Sequence, residues 1–498
     1  MKRAVVIGSG VGGLVAAILL QSHGWQVTVL EQHTRPGGLL HRFFRGRVPY
    51  DTGFHYCGSV DAGQPLGQCL RHLGVWDDLV FHPLDPDGFD RLIFPDEELR
   101  VPVGRERWKA RLKDRFPHEA GGLDAVFDAL ARAIEPYGLY RLKEDLDVAG
   151  IVEQEAVSVS EVLGRHLRDP KCRAALTAQA VLYGVPPDEA PFGLHAIVLD
   201  HLLAGAYTLE GGGDRLARVL ARRVRALGGT VRLRSEVTGI RVVDRAAVGV
   251  VLADGEEIPA DTVVSNVHPR HTIDWLPAGA IRPASASRIR DQRLGVGHLG
   301  VYLELDRPAN RIGNANVYRQ MHWDPAAAFR PTRPGEVHLY WAGAPGEHGR
   351  GPERGRPHTV LMVLPLDWSS VAGWADTDPD DRPAAYHEYK SALLETAVDA
   401  LLADFSDLRG HVVRAEASTP LSTARYVRSP EGAMYGHYHS VAQMGRYRPS
   451  QGLRVRNLAL VGQGVGFPGI LGSTLSAYHV ASYILGREQH LTRELVSA

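Results

Sequence analysis

The chain opens on a short β-branched run, Val5-Val6-Ile7, which breaks at Gly8, Gly10 and Gly13. An apolar, helix-like stretch follows, then a second β run, Val27-Thr28-Val29-Leu30, closed by Glu31. Strand, glycine turn, helix and strand in that order predict a βαβ unit whose turn reads GxGxxG. From about 76 to 200 the pattern turns helical, with amphipathic stretches at 108–116 and 120–134. At Gly211 the order of glycines, helix and strand returns. Residues 231–237, 248–252 and 262–265 read as strands, around a hairpin turn at Asp254-Gly255. Residues 297–305, 337–341 and 359–364 read as strands of a larger sheet, and 386–405 as a helix. The glycine-, proline- and arginine-rich stretch 331–356 is expected to be a mobile loop. Residues 458–461 read as a buried strand, followed by glycines and a helix over 469–485.

Composition narrows this picture. A chain of 498 residues is too long for one core. The expected class is α/β: a discontinuous, Rossmann-like dinucleotide domain with a mixed-sheet substrate domain and a helical lid. The boundaries expected are 1–75, 201–275 and 451–498 for the dinucleotide domain, 76–200 for the helical lid and 276–450 for the substrate domain. A formal net charge of −1 gives no argument for a nucleic-acid partner. The three cysteines form no CxxC, which suits a reducing, cytoplasmic compartment and excludes a disulfide scaffold or a cysteine metal site. No run of 18 apolar residues exists to span a membrane.

The chemistry begins at the glycine turn. Small residues at Gly8, Gly10 and Gly13 let the backbone approach a pyrophosphate, while the helix N-terminus presents free N–H groups and a positive dipole end. Glu31 is placed to accept both ribose hydroxyls, and its charge repels a 2′-phosphate, so FAD or NAD is favoured over NADP. Gln32 follows it, and a second glycine pair, Gly37-Gly38, stands just beyond. A plain NAD domain has no need of that pair; a segment crossing back over an FAD pyrophosphate does. Arg42, Arg45 and Arg47 add positive charge nearby. The C-terminal glycines Gly462, Gly464 and Gly466 precede a helix whose N-terminus, at Gly469 and Ile470, suits the N1–C2=O edge of a reduced flavin.

The pattern EQHT-x-x-GG-x-x-H-x-F from Glu31 to Phe43, then Asp51-Thr52-Gly53 with His55-Tyr56, resembles the phytoene desaturase, carotenoid isomerase and retinol saturase family. The local motifs are most similar to the retinol saturase branch. Gly211-Gly212-Gly213-Asp214, Thr419-Pro420-Leu421-Ser422, 429–436, 457–463 and 468–472 fit the wider group in order. The resemblance implies FAD, with Leu39, His41 and Arg42 beside the glycine pair, the backbone near Val237 facing adenine, and Gln463 where many flavoproteins carry an acid. It also implies hydride transfer at flavin N5 to or from a carbon–carbon bond of a long apolar polyene or isoprenoid.

Saturation, desaturation and isomerisation share that chemistry, and C=C reduction is the leading expectation. A non-catalytic prenyl-binding escort of the GDP-dissociation-inhibitor type is the reading from another class. A proton must accompany the hydride, which makes His55 and Tyr56 candidate acids, with Tyr435 and His437 behind them. For each, packing is the competing reading; for 435–439 it is a sheet surface. Residues 194–203 read as core or as the wall of a substrate tunnel. Residues 105–113 read as a solvated helix face or, through Trp108, as a peripheral membrane contact.

Overall fold

The computed structural model describes residues 1–143, 147–344, 358–445, 451–486, 491 and 493–495. Five parallel strands form the central sheet: Thr230–Arg232, Gln26–Leu30, Arg3–Ile7, Thr262–Ser265 and Leu458–Leu460, in that spatial order. Numbered along the chain this is 3-2-1-4-5, the order of a doubly wound dinucleotide sheet. Its strands are apolar on both faces because helices cover one side and the three-stranded meander of Val237–Val243, Ala246–Leu252 and Glu257–Pro259 covers the other. The helices Val11–Ser22 and Gly469–Leu485 pack on each other against the sheet, and Gly212–Ala226 flanks the first of them. Strand order reverses between Arg3–Ile7 and Thr262–Ser265, which opens a crevice at their carboxyl ends.

A second sheet of seven strands runs Val412–Ser418, His298–Leu305, His358–Pro365, Leu339–Gly343, Asn316–Gln320, Asp90–Ile93 and Glu98–Val101. All neighbours are antiparallel except Asn316–Gln320 with Asp90–Ile93. One face packs Leu299, Val301, Leu303 and Met362 on Leu393, Ala397 and Leu401 of the Ala384–Asp404 helix. The opposite face carries His298, Trp341 and Val363 toward the crevice. The helices Val148–Glu155 and Phe192–Leu203 close the space from the other side.

Three expectations change. The stretch read as helical contains Phe81–Pro83, the inner strand Asp90–Ile93 and the edge strand Glu98–Val101, which join sheets with strands far away in sequence. The expected mobile loop over 331–356 gives way to the strand also expected over 337–341, which runs Leu339–Gly343 at the centre of the sheet, and the part from 345 onward lies outside the described residues. Trp108 is buried in the Arg105–Arg115 helix, so it is no membrane anchor. The basic residues there pair with acids: Arg105 with Asp200, Lys109 with Glu106, and Lys113 with Asp124. Among the described residues no helix is long and apolar enough to cross a membrane.

Candidate active site

A cavity of about 760 Å³ fills the crevice. At one end lie Gly8, Ser9, Gly10, Val11 and Gly12, where strand Arg3–Ile7 turns into helix Val11–Ser22. Gly8 has φ +87°, a left-handed conformation that a side chain disfavours. A Cβ at Gly13 would stand 2.3 Å from the Gly8 carbonyl oxygen, so the third glycine is required by helix–strand packing and not by contact with a ligand. Glu31 reaches the same end. One carboxylate oxygen accepts from the Ser9 N–H at 3.0 Å and the Ser9 hydroxyl at 2.6 Å, and the other accepts from the His33 N–H at 2.8 Å. Gln32, Gly37, Gly38, Leu39, His41 and Val237 line this end as well, and the His41 ring lies 4.5 Å from that of His33.

The C-terminal glycine turn forms the middle of the wall. Gln463, Gly469 and Ile470 line it, and Gln463 Nε2 donates to the Met434 carbonyl at 3.1 Å. The N-termini of two long helices, Val11–Ser22 and Gly469–Leu485, therefore open on one cavity, each with N–H groups that have no partner inside the helix. Together with a carboxylate at the strand end, this donor set fits a dinucleotide with an anionic ring edge.

The far end is apolar. Leu194, Ile197, Val198 and Leu202 line it from one face of the Phe192–Leu203 helix, at the i, i+3, i+4 spacing of a single stripe. The stripe read as either core or tunnel is a cavity wall. Opposite it, His55 stacks on Trp341 with ring centroids 4.7 Å apart. Enclosure among apolar groups, with His298 adding to the effect, pushes the His55 imidazole down to about 3. It is neutral at physiological pH, which corrects its expected role as an acid near neutrality.

Tyr56 also lines the cavity, and its hydroxyl meets Tyr318 Oη at 2.5 Å and Asp90 Oδ2 at 3.2 Å. Burial and the neighbouring Asp90 carboxyl hold the Tyr56 phenol well above its usual range.

Not every expected residue reaches the cavity. Arg42 makes a two-point ion pair with the buried Asp51, at 2.9 and 2.7 Å, and is spent there. Gly13 and Gly462 support the turns from behind. Residues 435–439 do not form a sheet surface: Tyr435 lines the cavity, and buried His437 bonds through Nδ1 to the Gly464 carbonyl oxygen at 3.0 Å. Cys57 is a buried filler whose thiol burial pushes up to about 12. Among the described residues no cluster fit to hold a metal occurs.

Asn266 was not foreseen. Its side chain sits at the sheet's switch point, where a Cβ on Gly10, Gly12 or Gly462 would come within 2.6–2.8 Å of it. Its position at the end of the strand Thr262–Ser265 was the available signal, since ligands in such sheets bind beyond the strand ends.

The comparison with known proteins follows the same lines. A family model described as flavin containing amine oxidoreductase matches residues 11–348. An all-trans-retinol 13,14-reductase of Danio rerio is 26% identical, with 98% of this chain and 86% of that protein covered. A 4,4'-diapophytoene desaturase (4,4'-diapolycopene-forming) of Methylomonas sp is 25% identical, covering 93% and 91%. The crystal structure of an oxidoreductase from Methanosarcina mazei shares the fold, with a TM-score of 0.65 at 16% identity over 96% of this chain and 99% of that one.

Proposed function

Since this chain belongs to the family of flavin-containing amine oxidoreductases, we propose that it is an FAD-dependent enzyme that reduces a carbon–carbon double bond of a long apolar polyene or isoprenoid. The observation that carries the substrate class is the chemistry of the cavity wall. Among its described lining residues the only carboxylates are Glu31 and Glu236, both at the nucleotide end. An amine cation would find no countercharge at the far end. A polyene finds Leu194, Ile197, Val198, Leu202, Trp341 and Val363. Retinol reductases and desaturases both match over nearly the whole chain, and the somewhat higher identity to the former, 26–28% against 24–25%, supports reduction over desaturation.

In this reading Gly8, Gly10, Gly37, Gly38 and Leu39 face the pyrophosphate, Glu31 and Gln32 the ribose, and Val237 the adenine. Gln463, Gly469 and Ile470 face the flavin ring. Glu31 supports FAD over a 2′-phosphorylated nucleotide. A bound, reduced flavin supplies a hydride at N5. The protein's share is to hold the polyene chain against that atom, exclude water and deliver a proton to the neighbouring carbon. Tyr56 is the proton donor of this scheme. His55, neutral and stacked on Trp341, packs the reacting segment.

The test is anaerobic incubation of the pre-reduced holoprotein with retinol and with a cis-lycopene, followed by mass spectrometry. A gain of two hydrogens with flavin reoxidation is expected. An unchanged mass with altered retention means isomerisation, and no change in either probe overturns the polyene-reductase reading.

A further inference from the structure

Asp90 is wholly buried, yet among the described residues no cation pairs with it. It starts the strand Asp90–Ile93, and its register partner on the adjoining strand is Asn316. Asn316 Nδ2 donates to Oδ1 at 2.8 Å, and Gln179 Nε2 donates to Oδ2 at 2.6 Å. The Tyr56 hydroxyl reaches the same Oδ2 and bonds in turn to Tyr318. Tyr318 is the register partner of Trp341, so the whole group lies on the sheet face that looks into the cavity. The neighbouring Arg91 is committed elsewhere, to Glu98 and to the Arg311 carbonyl.

A buried carboxyl without a countercharge, joined by one hydrogen bond to a cavity-lining phenol, has the arrangement of a proton reserve. We propose that Asp90 holds the proton that the polyene receives and passes it through Tyr56 Oη, with Tyr318 fixing that hydroxyl. The inference rests on the polyene-reductase reading. In each turnover one proton moves from Tyr56 Oη to the carbon beside the one that takes the hydride. A second moves from Asp90 Oδ2 to Tyr56 Oη, and a third returns from water to Asp90. The hydride, which carries both electrons, comes from the reduced flavin, which an external two-electron donor must restore.

The negative charge settles where donors await it. On Tyr56 a phenolate would face the Asp90 carboxyl and Tyr318 in a dry site. On Asp90 it is met by the two amide N–H groups of Asn316 and Gln179. Burial raises the Asp90 carboxyl to about 7, with those amides and Tyr56 acting against the rise, so the reserve is loaded below neutrality and emptied above it. The other ionisable groups facing this assembly are Tyr56, Tyr318 and, beyond Tyr318, Tyr435, all phenols held protonated by burial.

Asp90 is a positioning and proton-supplying residue here, and two readouts test it. Infrared titration of the oxidised holoprotein without polyene should show a protonated carboxyl band at about pH 6 that is lost by about pH 8. The band should be absent from Asp90→Asn and retained, with a shifted midpoint, in Tyr56→Phe. The rate at which the pre-reduced protein converts its polyene should fall about tenfold per pH unit above neutrality. Asp90→Asn should lose that pH dependence. Tyr56→Phe should slow the conversion about 100-fold with an unchanged flavin spectrum.

An Asp90 already ionised at about pH 6 overturns the relay, and so does a wild-type rate indifferent to pH between 6 and 8. Should Asp90→Asn fail to fold, the wild-type titration and Tyr56→Phe still decide. A blank polyene assay overturns the proposed function, and the relay with it; a positive assay with an ionised Asp90 overturns the relay alone.

Discussion

At the scale of the residue, Glu31 carries the most weight at the nucleotide end. Its two oxygens accept three hydrogen bonds, from the Ser9 N–H and hydroxyl and from the His33 N–H, which hold the carboxylate at the strand end. Hydrogen bonds to a charged group are worth about 1.5–3 kcal/mol each, so Glu31→Gln is expected to weaken flavin retention at least about tenfold. The ratio of visible to ultraviolet absorbance after gel filtration measures it. Retention equal to wild type would place the ribose contact elsewhere. The glycines and Glu31 were legible in the sequence because backbone clearance and a strand-end charge leave a local signature. Asn266 left none, because it meets the glycine turn only once strands Arg3–Ile7 and Thr262–Ser265 are neighbours.

At the scale of the element, the Phe192–Leu203 helix shows how one stripe serves two neighbours. Leu194, Ile197, Val198 and Leu202 face the cavity, while Leu199 and Leu203 are buried in the surrounding core. The helix is apolar nearly all round, which is why its sequence pattern gives no single direction. Ile197→Arg puts an uncompensated charge into the apolar end. Polyene turnover is expected to fall by more than about 100-fold, because an unpaired buried charge costs several kcal/mol. Flavin content should be unchanged, and turnover with flavin content read on the same sample checks both halves. Full activity would mean that the substrate does not pass this helix. The strand Leu339–Gly343 makes the complementary point: its own residues read as a strand over 337–341 while its glycine- and proline-rich surroundings read as a loop, and pairing on both sides with Asn316–Gln320 and His358–Pro365 makes it a strand.

At the scale of the whole molecule, the enclosed histidines set the response to acid. Burial lowers His55 and His268 to about 3, and His195, His201 and His298 to about 4. In the unfolded chain each titrates near 6.5, so between about pH 4 and 6.5 the unfolded state binds more protons and stability falls as the pH falls. Asp90 acts oppositely: with its folded value raised to about 7, its contribution is present in acid and lost as the pH rises from about 4 through 7. Five imidazoles outweigh one carboxyl, and Tm is expected to drop on the order of 5 °C between about pH 6.5 and pH 5. A scanning-calorimetry series in which Tm stays level would contradict that balance.

The dinucleotide turn, the acid after the second strand, the C-terminal glycine turn with its helix over 469–485, and the long helix matched by Ala384–Asp404 are readable from the order of residues alone. These rest on contacts within a few turns of chain, which spacing alone records. Tertiary structure decided the rest. The strands Asp90–Ile93 and Glu98–Val101 in the second sheet, the neutral state of His55 and the meeting of Tyr56 with Asp90 and Tyr318 depend on partners up to some 260 residues away. Burial and charge at such points belong to the assembled cavity, and no local pattern of side chains encodes them.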